Sequence, residues 1–226
     1  TEPLVERMSL DGEDWLRFRS FPIDVGLIRA TTADPAGNLT MEREAMVGEV
    51  LPIAQAARNH GGLVVAQVER ISDSPASPHT VRVPGMLVDA VVVAGAGEHE
   101  QTFAESFNAA YAEAGKAAAP EPMPFSERKI IARRVLHQIA SGSIVNLGIG
   151  MPEGVVSVAA EAGRLDEFTL TLESGPIGGT PAGGLSFGCS AHPEAIIDQP
   201  AQFDFYDGGG LDVAVLGAVA VDAEGS

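Results

Sequence analysis

In the first part of the chain, the pattern of apolar residues predicts three strands and one helix. Runs of Val, Leu and Ile predict buried strands over 23–29, 63–68 and 88–93. Between the first two runs, apolar residues recur at helical spacing over 42–59. Pro52 lies inside that spacing, so we expect the helix to break or kink near Leu51.

A second set of elements follows Phe125. Ser126 predicts the N-cap of an amphipathic helix over 127–140. A strand over 143–147, a helix over 153–162 and a strand over 168–172 then form a predicted βαβ unit. The intervening segment, 95–124, is rich in Ala, Gly and Pro, and it predicts a linker with a short helix over 103–114.

Two segments 188 residues apart resemble each other. Residues 23–38 align with 211–226 without gaps, and five of the sixteen pairs are identical. Two unrelated strand-plus-turn segments can also look alike, so this duplication stays a hypothesis. If it holds, 1–94 is the later part of one half, 95–124 is a linker, and 125–226 is the earlier part of a second half. Both halves would be incomplete, and their apolar faces would need other polypeptide to cover them.

Charge and cysteine content restrict the partners and the compartment. The formal net charge of −17 argues against nucleic acid or an anionic membrane as the main partner, because both favour clustered Lys and Arg. The one cysteine, Cys189, excludes an intrachain disulfide, so we expect a cytoplasmic protein. No apolar stretch is long enough to span a bilayer. The five histidines lack the spacing of a metal site.

The strongest chemical signal is a carboxylate at the end of an apolar strand. Glu173 follows the run Thr169-Leu170-Thr171-Leu172, and Gly175, Gly178 and Gly179 come directly after it. Ligands of open α/β sheets bind just beyond the carboxyl ends of strands, and glycines allow a substrate to approach the backbone. Glu173 is therefore a candidate nucleophile. From spacing alone, a Glu that ends a strand or pairs with a surface Lys remains the more common case.

Two further glycine-rich segments are candidate binding loops. In the run Asn146-Leu147-Gly148-Ile149-Gly150, backbone N–H groups and the Asn146 amide are suited to stabilise negative charge before a helix. Gly208 and Gly209 precede a strand and imply close backbone contact. A generic βα turn and a flexible turn are the plain alternatives for these two segments.

Together, these motifs resemble the family I coenzyme A transferases, in particular the single-chain propionate or acetate type with fused halves. The matching stretches are 21–70, 145–152, 172–179, 196–210 and 211–225. In related transferases the nucleophilic Glu lies in a Ser-Glu-Asn-Gly motif, and the matching run here is Leu172-Glu173-Ser174-Gly175. The resemblance implies an α/β fold of two similar open halves, with mainly parallel sheets flanked by helices.

The resemblance also implies a reaction. Glu173 would attack an acyl-CoA, carry CoA as a glutamyl thioester, and pass it to a short-chain carboxylic acid in a ping-pong mechanism. Asn146 would stabilise the oxyanion, and Gly148, Gly150, Gly175, Gly178, Gly179, Gly208 and Gly209 would contact the substrates. Coenzyme A is then a substrate, no cofactor is expected, and a homo-oligomer or completing polypeptide is implied. We expect the 226-residue chain alone to be weakly active or inactive.

Other functions stay open at this point. A sugar-phosphate isomerase or an effector-binding module of similar α/β fold would use a carboxylate for proton transfer without a covalent step. A regulatory subunit with a dead site would not depend on Glu173. An acyl-CoA hydrolase would let water intercept the same intermediate.

Overall fold

The computed structural model describes residues 3–116 and 118–225. The outer ends of the predicted halves and Ala117 of the predicted linker therefore lie outside the described residues. The described residues of the first part form seven strands and one α-helix. These are β1 (Val5–Leu10), β2 (Glu13–Phe18), β3 (Val25–Ala33), β4 (Leu39–Thr40), α1 (Val50–Asn59), β5 (Leu63–Ile71), β6 (Val81–Val83) and β7 (Ala90–Val93).

The first sheet has five strands in the order β6-β4-β3-β5-β7. Strands β3, β5 and β7 run parallel, with β7 at one edge of the sheet. Strand β4 pairs antiparallel with β3, and β6 pairs antiparallel with β4 at the other edge. One face of this sheet packs on α1, where a Cβ added at Gly26 would lie 3.2 Å from the Cβ of Ala57. The strands predicted over 23–29, 63–68 and 88–93 are all present.

Helix α1 begins at Val50 instead of near Glu42. Pro52 is its third residue, where a backbone N–H has no partner in any α-helix, so the proline causes no break. The residues before it form turns, so the expected kink near Leu51 is wrong. Val50, Ala54 and Ala57 form the buried face of the helix.

The opposite face of the first sheet is open. Alternate β3 residues Val25 and Leu27 are 52% and 72% exposed, although their neighbours Gly26 and Ile28 are buried. Leu63 on β5 is 48% exposed. Parallel sheets are normally covered on both faces, so this apolar surface fits the prediction that further polypeptide covers it.

A hairpin that the sequence analysis did not predict precedes the first sheet. Strands β1 and β2 pair only with each other, and the antiparallel register places Met8 opposite Trp15 and Val5 opposite Phe18. All four of these side chains are at least 40% exposed. A two-stranded hairpin is marginally stable alone, so its apolar residues are suited to contact other polypeptide.

The described residues after 116 form the second sheet and three α-helices. The elements are α2 (Glu127–Leu136), β8 (Ile144–Leu147), α3 (Gly154–Glu161), β9 (Thr169–Thr171), β10 (Pro176–Ile177), β11 (Thr180–Pro181), β12 (Ser190–Ala191), β13 (Ala195–Ile196), α4 (Gln199–Phe205) and β14 (Val213–Val215). The strand order is β13-β10-β9-β8-β14, with β9, β8 and β14 parallel. Strands β11 and β12 form a separate pair.

Helices α2 and α3 cover one face of the second sheet. Val145 and Leu147 of β8 pack with Ala132, Leu136 and Val155. The predicted cap is present, since the Ser126 hydroxyl accepts a hydrogen bond from the Lys129 N–H at 3.4 Å. The α/β class is confirmed, with both sheets mixed and three adjacent parallel strands in each.

The segment between the two sheets packs against both. It contains a 3₁₀ turn over Ala109–Tyr111, so the predicted helix over 103–114 is wrong. Glu105 accepts hydrogen bonds from the Tyr111 hydroxyl at 2.6 Å and the Ser186 hydroxyl at 2.8 Å. The Gln101 amide donates to the Arg43 carbonyl at 2.8 Å. The boundaries 1–94, 95–124 and 125–226 stay a prediction, as does the duplication.

Candidate active site

A tight turn between β9 and β10 presents Glu173. The Leu172 N–H donates to the Pro176 carbonyl, and the Gly175 N–H donates to the Leu172 carbonyl, both at 3.0 Å. Glu173 and Ser174 are thus the two central residues of a closed turn at the carboxyl end of β9. This is the position at which open α/β sheets bind ligands.

Two contacts fix the conformation of this turn. The Ser174 hydroxyl donates a hydrogen bond to the Gly188 carbonyl. Gly175 has φ +115°, and a Cβ added there would lie 1.9 Å from the Ile197 carbonyl oxygen. Gly175 therefore lets two backbone segments meet behind Glu173, which is a structural role.

Glu173 lines a cleft of about 930 Å³ between the two sheets. Its side chain is partly buried, and no hydrogen bond or ion pair holds its carboxylate within the described residues. The walls are largely apolar and come from the first sheet, the intervening segment and the second sheet. They include Met41, Met46, Val47, Phe103, Leu147, Leu172, Leu185 and Phe187.

A buried polar cluster forms the wall that the first sheet contributes. Arg29 Nε donates to Glu44 Oε2 at 2.9 Å, and the Glu44 side chain is only 7% exposed. His99 Nε2 lies 2.9 Å from Glu44 Oε1, and the Thr31 hydroxyl lies 3.3 Å from the same oxygen. This cluster was not predicted from the sequence. The signal was present in Arg29, the one charged residue of β3.

Asn146 is oriented towards β9 and does not line the cleft. It is 3% exposed, and its Nδ2 donates to the Thr171 carbonyl at 3.2 Å. The Thr171 hydroxyl donates to the Val145 carbonyl at 3.2 Å and accepts from the Tyr206 hydroxyl at 2.7 Å. This network joins β8, β9 and the residues after α4 directly behind Glu173. The oxyanion role of Asn146 stays a prediction, and it requires a donor of this buried amide to reach the cleft.

The two glycine amides of the predicted βα loop are already paired. The Gly148 N–H donates to the Val215 carbonyl at 2.8 Å, and the Gly150 N–H donates to Glu153 Oε1 at 2.9 Å. Gly148 lines the cleft, and a Cβ added there would lie 3.2 Å from the Val215 oxygen. Gly148 therefore packs closely on β14 with its N–H engaged there, and its contact with a substrate stays a prediction.

The other predicted glycines lie outside this cleft. Gly178 and Gly179 line a separate cleft of about 700 Å³ together with Lys116 and His192. The Gly178 N–H donates to the Leu170 carbonyl at 2.7 Å. Gly208 and Gly209 are exposed after α4, with no atom within 4 Å of an added Cβ. The structure therefore brings Glu173 and Gly148 to one cleft and does not bring these four glycines there.

Cys189 also lines the cleft, as a fully buried thiol. Burial, and then the negative charge of Glu105, raises the pKa of the Cys189 thiol to about 11. The hydrogen bond from Tyr111, followed by that from Ser186, lowers the pKa of Glu105. Cys189 is thus a neutral packing residue, as a structural thiol should be.

Residues 3–116 and 118–225 offer neither a metal site nor a membrane-spanning helix. No group of three or more His, Cys, Asp or Glu side chains in these ranges is arranged to hold a metal ion. Every helix in the same ranges is too short or too polar to cross a membrane.

Comparisons with known proteins relate the chain to one family of enzymes. Residues 4–94 match the family described as coenzyme A transferase. The whole chain is 44% identical over 231 aligned residues to caffeate CoA-transferase of Acetobacterium woodii. That alignment spans only 44% of the relative, so the chain covers less than half of its length.

Solved structures agree with this relationship. The crystal structure of the acyl-CoA transferase YdiF apoenzyme from Escherichia coli O157:H7 matches with a TM-score of 0.89 and 37% identity, over all of this chain and 42% of that one. A YdiF thioester complex with CoA matches with a TM-score of 0.86 and 37% identity, over all of this chain and 44% of that one. The chain is therefore similar to coenzyme A transferases along its whole length, and the stretch that it matches is less than half of such a protein.

Proposed function

We propose that the full-length protein transfers CoA between an acyl-CoA and a carboxylic acid, and that Glu173 carries the CoA. The observation that carries this proposal is the Glu173 carboxylate itself. It projects from a rigid turn into the cleft and has no partner within the described residues. A partly buried, unpaired carboxylate is suited to nucleophilic attack, because little has to be displaced before it reacts.

The first half of the reaction loads CoA onto the enzyme. A Glu173 carboxylate oxygen attacks the thioester carbonyl, the C–S bond breaks, and an acyl-glutamyl anhydride and CoA thiolate form. The thiolate then attacks the glutamyl carbonyl of the anhydride. The glutamyl thioester forms, and the original acyl group leaves as a carboxylate that contains one oxygen from Glu173.

The second half repeats these steps with another acid. An oxygen of the incoming carboxylate attacks the glutamyl thioester, and CoA thiolate leaves. The thiolate attacks the acyl carbonyl of the new anhydride, which gives the new acyl-CoA and restores the Glu173 carboxylate. Coenzyme A is a substrate throughout this scheme, and the scheme uses no cofactor.

The relatives and the cleft suggest the class of acyl group. The similar proteins are named for caffeate and for acyl-CoA, and one of the similar structures is a thioester complex with CoA. Side chains such as Met46, Phe103 and Phe187 offer an apolar surface for an uncharged acyl group. We expect further polypeptide, from a second copy or from the rest of the protein, to cover the open face of the first sheet.

Trapping of the intermediate tests this proposal. The full-length protein is incubated with acetyl-CoA and then treated with borohydride or hydroxylamine, and tryptic peptides are analysed by mass spectrometry. We expect modification at Glu173, and none in Glu173→Gln. Glu153→Gln is the matched control, because Glu153 is another carboxylate of the same cleft.

Two outcomes would contradict the proposal. In one, the Glu173→Gln variant still transfers CoA at the original rate. In the other, turnover proceeds without any modified Glu173, as expected for an isomerase-like or effector-binding module.

A further inference from the structure

The cleft around Glu173 is strongly acidic, with one exception. Its lining includes the carboxylates of Glu44, Glu98, Glu100, Glu153 and Glu173. Among the lining residues in the described part of the chain, Arg29 is the only Lys, Arg or His. A carboxylate substrate that enters this cleft therefore meets one positive side chain among five negative ones.

Arg29 is held in a fixed orientation. Its Nε donates to Glu44 Oε2 at 2.9 Å, and its Nη1 donates to the Glu100 carbonyl at 2.8 Å. Glu44 is itself fixed, since its other oxygen lies within hydrogen-bond distance of His99 and Thr31. An arginine that is anchored through two donors has already lost most of its side-chain freedom.

The remaining donors of Arg29 stay available. A guanidinium has five N–H groups, and those on Nη2 make no hydrogen bond within the residues that the structure describes. The side chain is 36% exposed, although Glu44 behind it is buried. The available edge of a guanidinium matches the two oxygens of a carboxylate in geometry and charge.

We propose that Arg29 binds the carboxylate of the acid substrate and holds it for attack on the Glu173 thioester. This inference rests on the proposed CoA transfer, and it locates the acceptor acid in the cleft. Loading of CoA removes the charge of Glu173, but Glu44, Glu98, Glu100 and Glu153 remain. The positive charge of Arg29 offsets the repulsion between these carboxylates and an anionic substrate. The substrate carboxylate should therefore bind beside Arg29.

Separate measurement of the two half-reactions tests this role. The full-length protein is first loaded with CoA from acetyl-CoA, and the thioester is followed by mass spectrometry. Its discharge is then measured over a range of propionate concentrations. In Arg29→Gln, we expect loading within about threefold of the original rate. We expect the propionate concentration for half-maximal discharge to rise about 10- to 100-fold, as for loss of a charge-assisted hydrogen bond.

Two variants control for charge and for folding. Arg133→Gln makes the same change in net charge at an exposed α2 residue that pairs with Glu161 at 3.4 Å, and it should alter neither half-reaction. Arg29→Lys keeps the charge beside Glu44 but loses the planar guanidinium that can bind a carboxylate through two hydrogen bonds. We expect this variant to load CoA normally. Its propionate concentration for half-maximal discharge should lie between those of the original protein and Arg29→Gln. If Arg29→Gln fails to fold, the lysine variant decides the question.

The outcomes separate the two proposals. The role of Arg29 is overturned if Arg29→Gln needs the same propionate concentration for half-maximal discharge as the original protein. If only Arg29→Lys folds, the same result in that variant overturns it. An equal loss in loading and discharge also overturns it, because that pattern indicates a purely structural ion pair with Glu44. Failure of the unmodified protein to form any thioester overturns the proposed CoA transfer instead.

Discussion

The side-chain amide of Asn146 donates a 3.2 Å hydrogen bond to the backbone carbonyl of Thr171, two residues before Glu173. Both partners are at most 3% exposed. The bond joins β8 to β9 at the level of the turn that carries the carboxylate. Any change at Asn146 should therefore reach Glu173 through the backbone of β9.

Replacement of Asn146 tests this coupling. Asn146→Ala removes the side-chain donor of the Thr171 carbonyl, and the loss of one intramolecular hydrogen bond costs about 0.5–1.5 kcal/mol of unfolding free energy. We expect kcat to fall as well, because the turn loses one of its anchors. Denaturant unfolding and steady-state kinetics measure the two effects. Full stability together with unchanged kcat would show that the hydrogen bond is unimportant.

Gly175 should be the least replaceable glycine of the turn. In Gly175→Ala the new Cβ would lie 1.9 Å from the Ile197 oxygen, and the residue would keep φ +115°. Overpacking and positive φ together predict a loss of about 2–5 kcal/mol. Thermal unfolding measures it, and Gly208→Ala is the matched control, since no atom lies within 4 Å there. Equal melting temperatures for both variants would contradict the tight contact.

Cys189 should be inert in the folded protein. Its pKa of about 11 leaves almost no thiolate at pH 8, and the side chain is fully buried. We expect a disulfide reagent such as DTNB to react only after denaturation, when the thiol regains a pKa of about 8.5. Rapid reaction of the native protein would show that the cleft is open at this residue.

Asp34 should make stability depend on acid pH. Its carboxylate accepts hydrogen bonds from the Asn38 side chain and from the backbone of Ala76, Asn38 and Ala36, and the Asn38 side chain contributes most to lowering its pKa to about 2. A lowered pKa in the folded state means that the stabilisation is complete above about pH 4, the unfolded value. It is lost as the pH falls towards 2.

Asp34→Asn checks this assignment. The variant should be less stable near neutral pH and should lose less stability than the original protein between about pH 4 and 2. Asp73→Asn makes the same charge change in an exposed residue and controls for net charge. If the unfolding free energy falls by the same amount between about pH 4 and 2 in the original protein and in Asp34→Asn, Asp34 is not the source of the pH dependence.

The regular elements were predictable from sequence, whereas the contacts between distant segments were not. Apolar runs identified β3, β5 and β7, because a buried parallel strand needs little more than such a run. Pro52 was misleading, since a proline is compatible with the first turn of a helix and only its position decides its effect. The exposed hairpin β1–β2 was missed because its short strands mix apolar and charged residues, although Asp11 and Gly12, with φ of 54° and 83°, form the Asp-Gly turn that is typical of a two-residue hairpin.

Only part of the candidate site was predictable, because some of its residues come together only when distant segments pack. Glu173 was found because a carboxylate after an apolar strand is a local pattern. Arg29 and Glu44 were missed because their role depends on the approach of the first sheet to the second. Gly178 and Gly179 were grouped with Glu173 by sequence proximity, yet the chain turns back after β10 and carries them to another cleft.

Oxygen transfer from the acceptor acid to Glu173 tests the central claim most directly. The full-length protein is allowed to turn over with acetyl-CoA and propionate labelled with ¹⁸O in both carboxylate oxygens, and its peptides are then analysed by mass spectrometry. The proposed mechanism predicts ¹⁸O in the carboxyl group of Glu173 and in no other carboxylate of the cleft. Turnover that leaves Glu173 without ¹⁸O would contradict the mechanism.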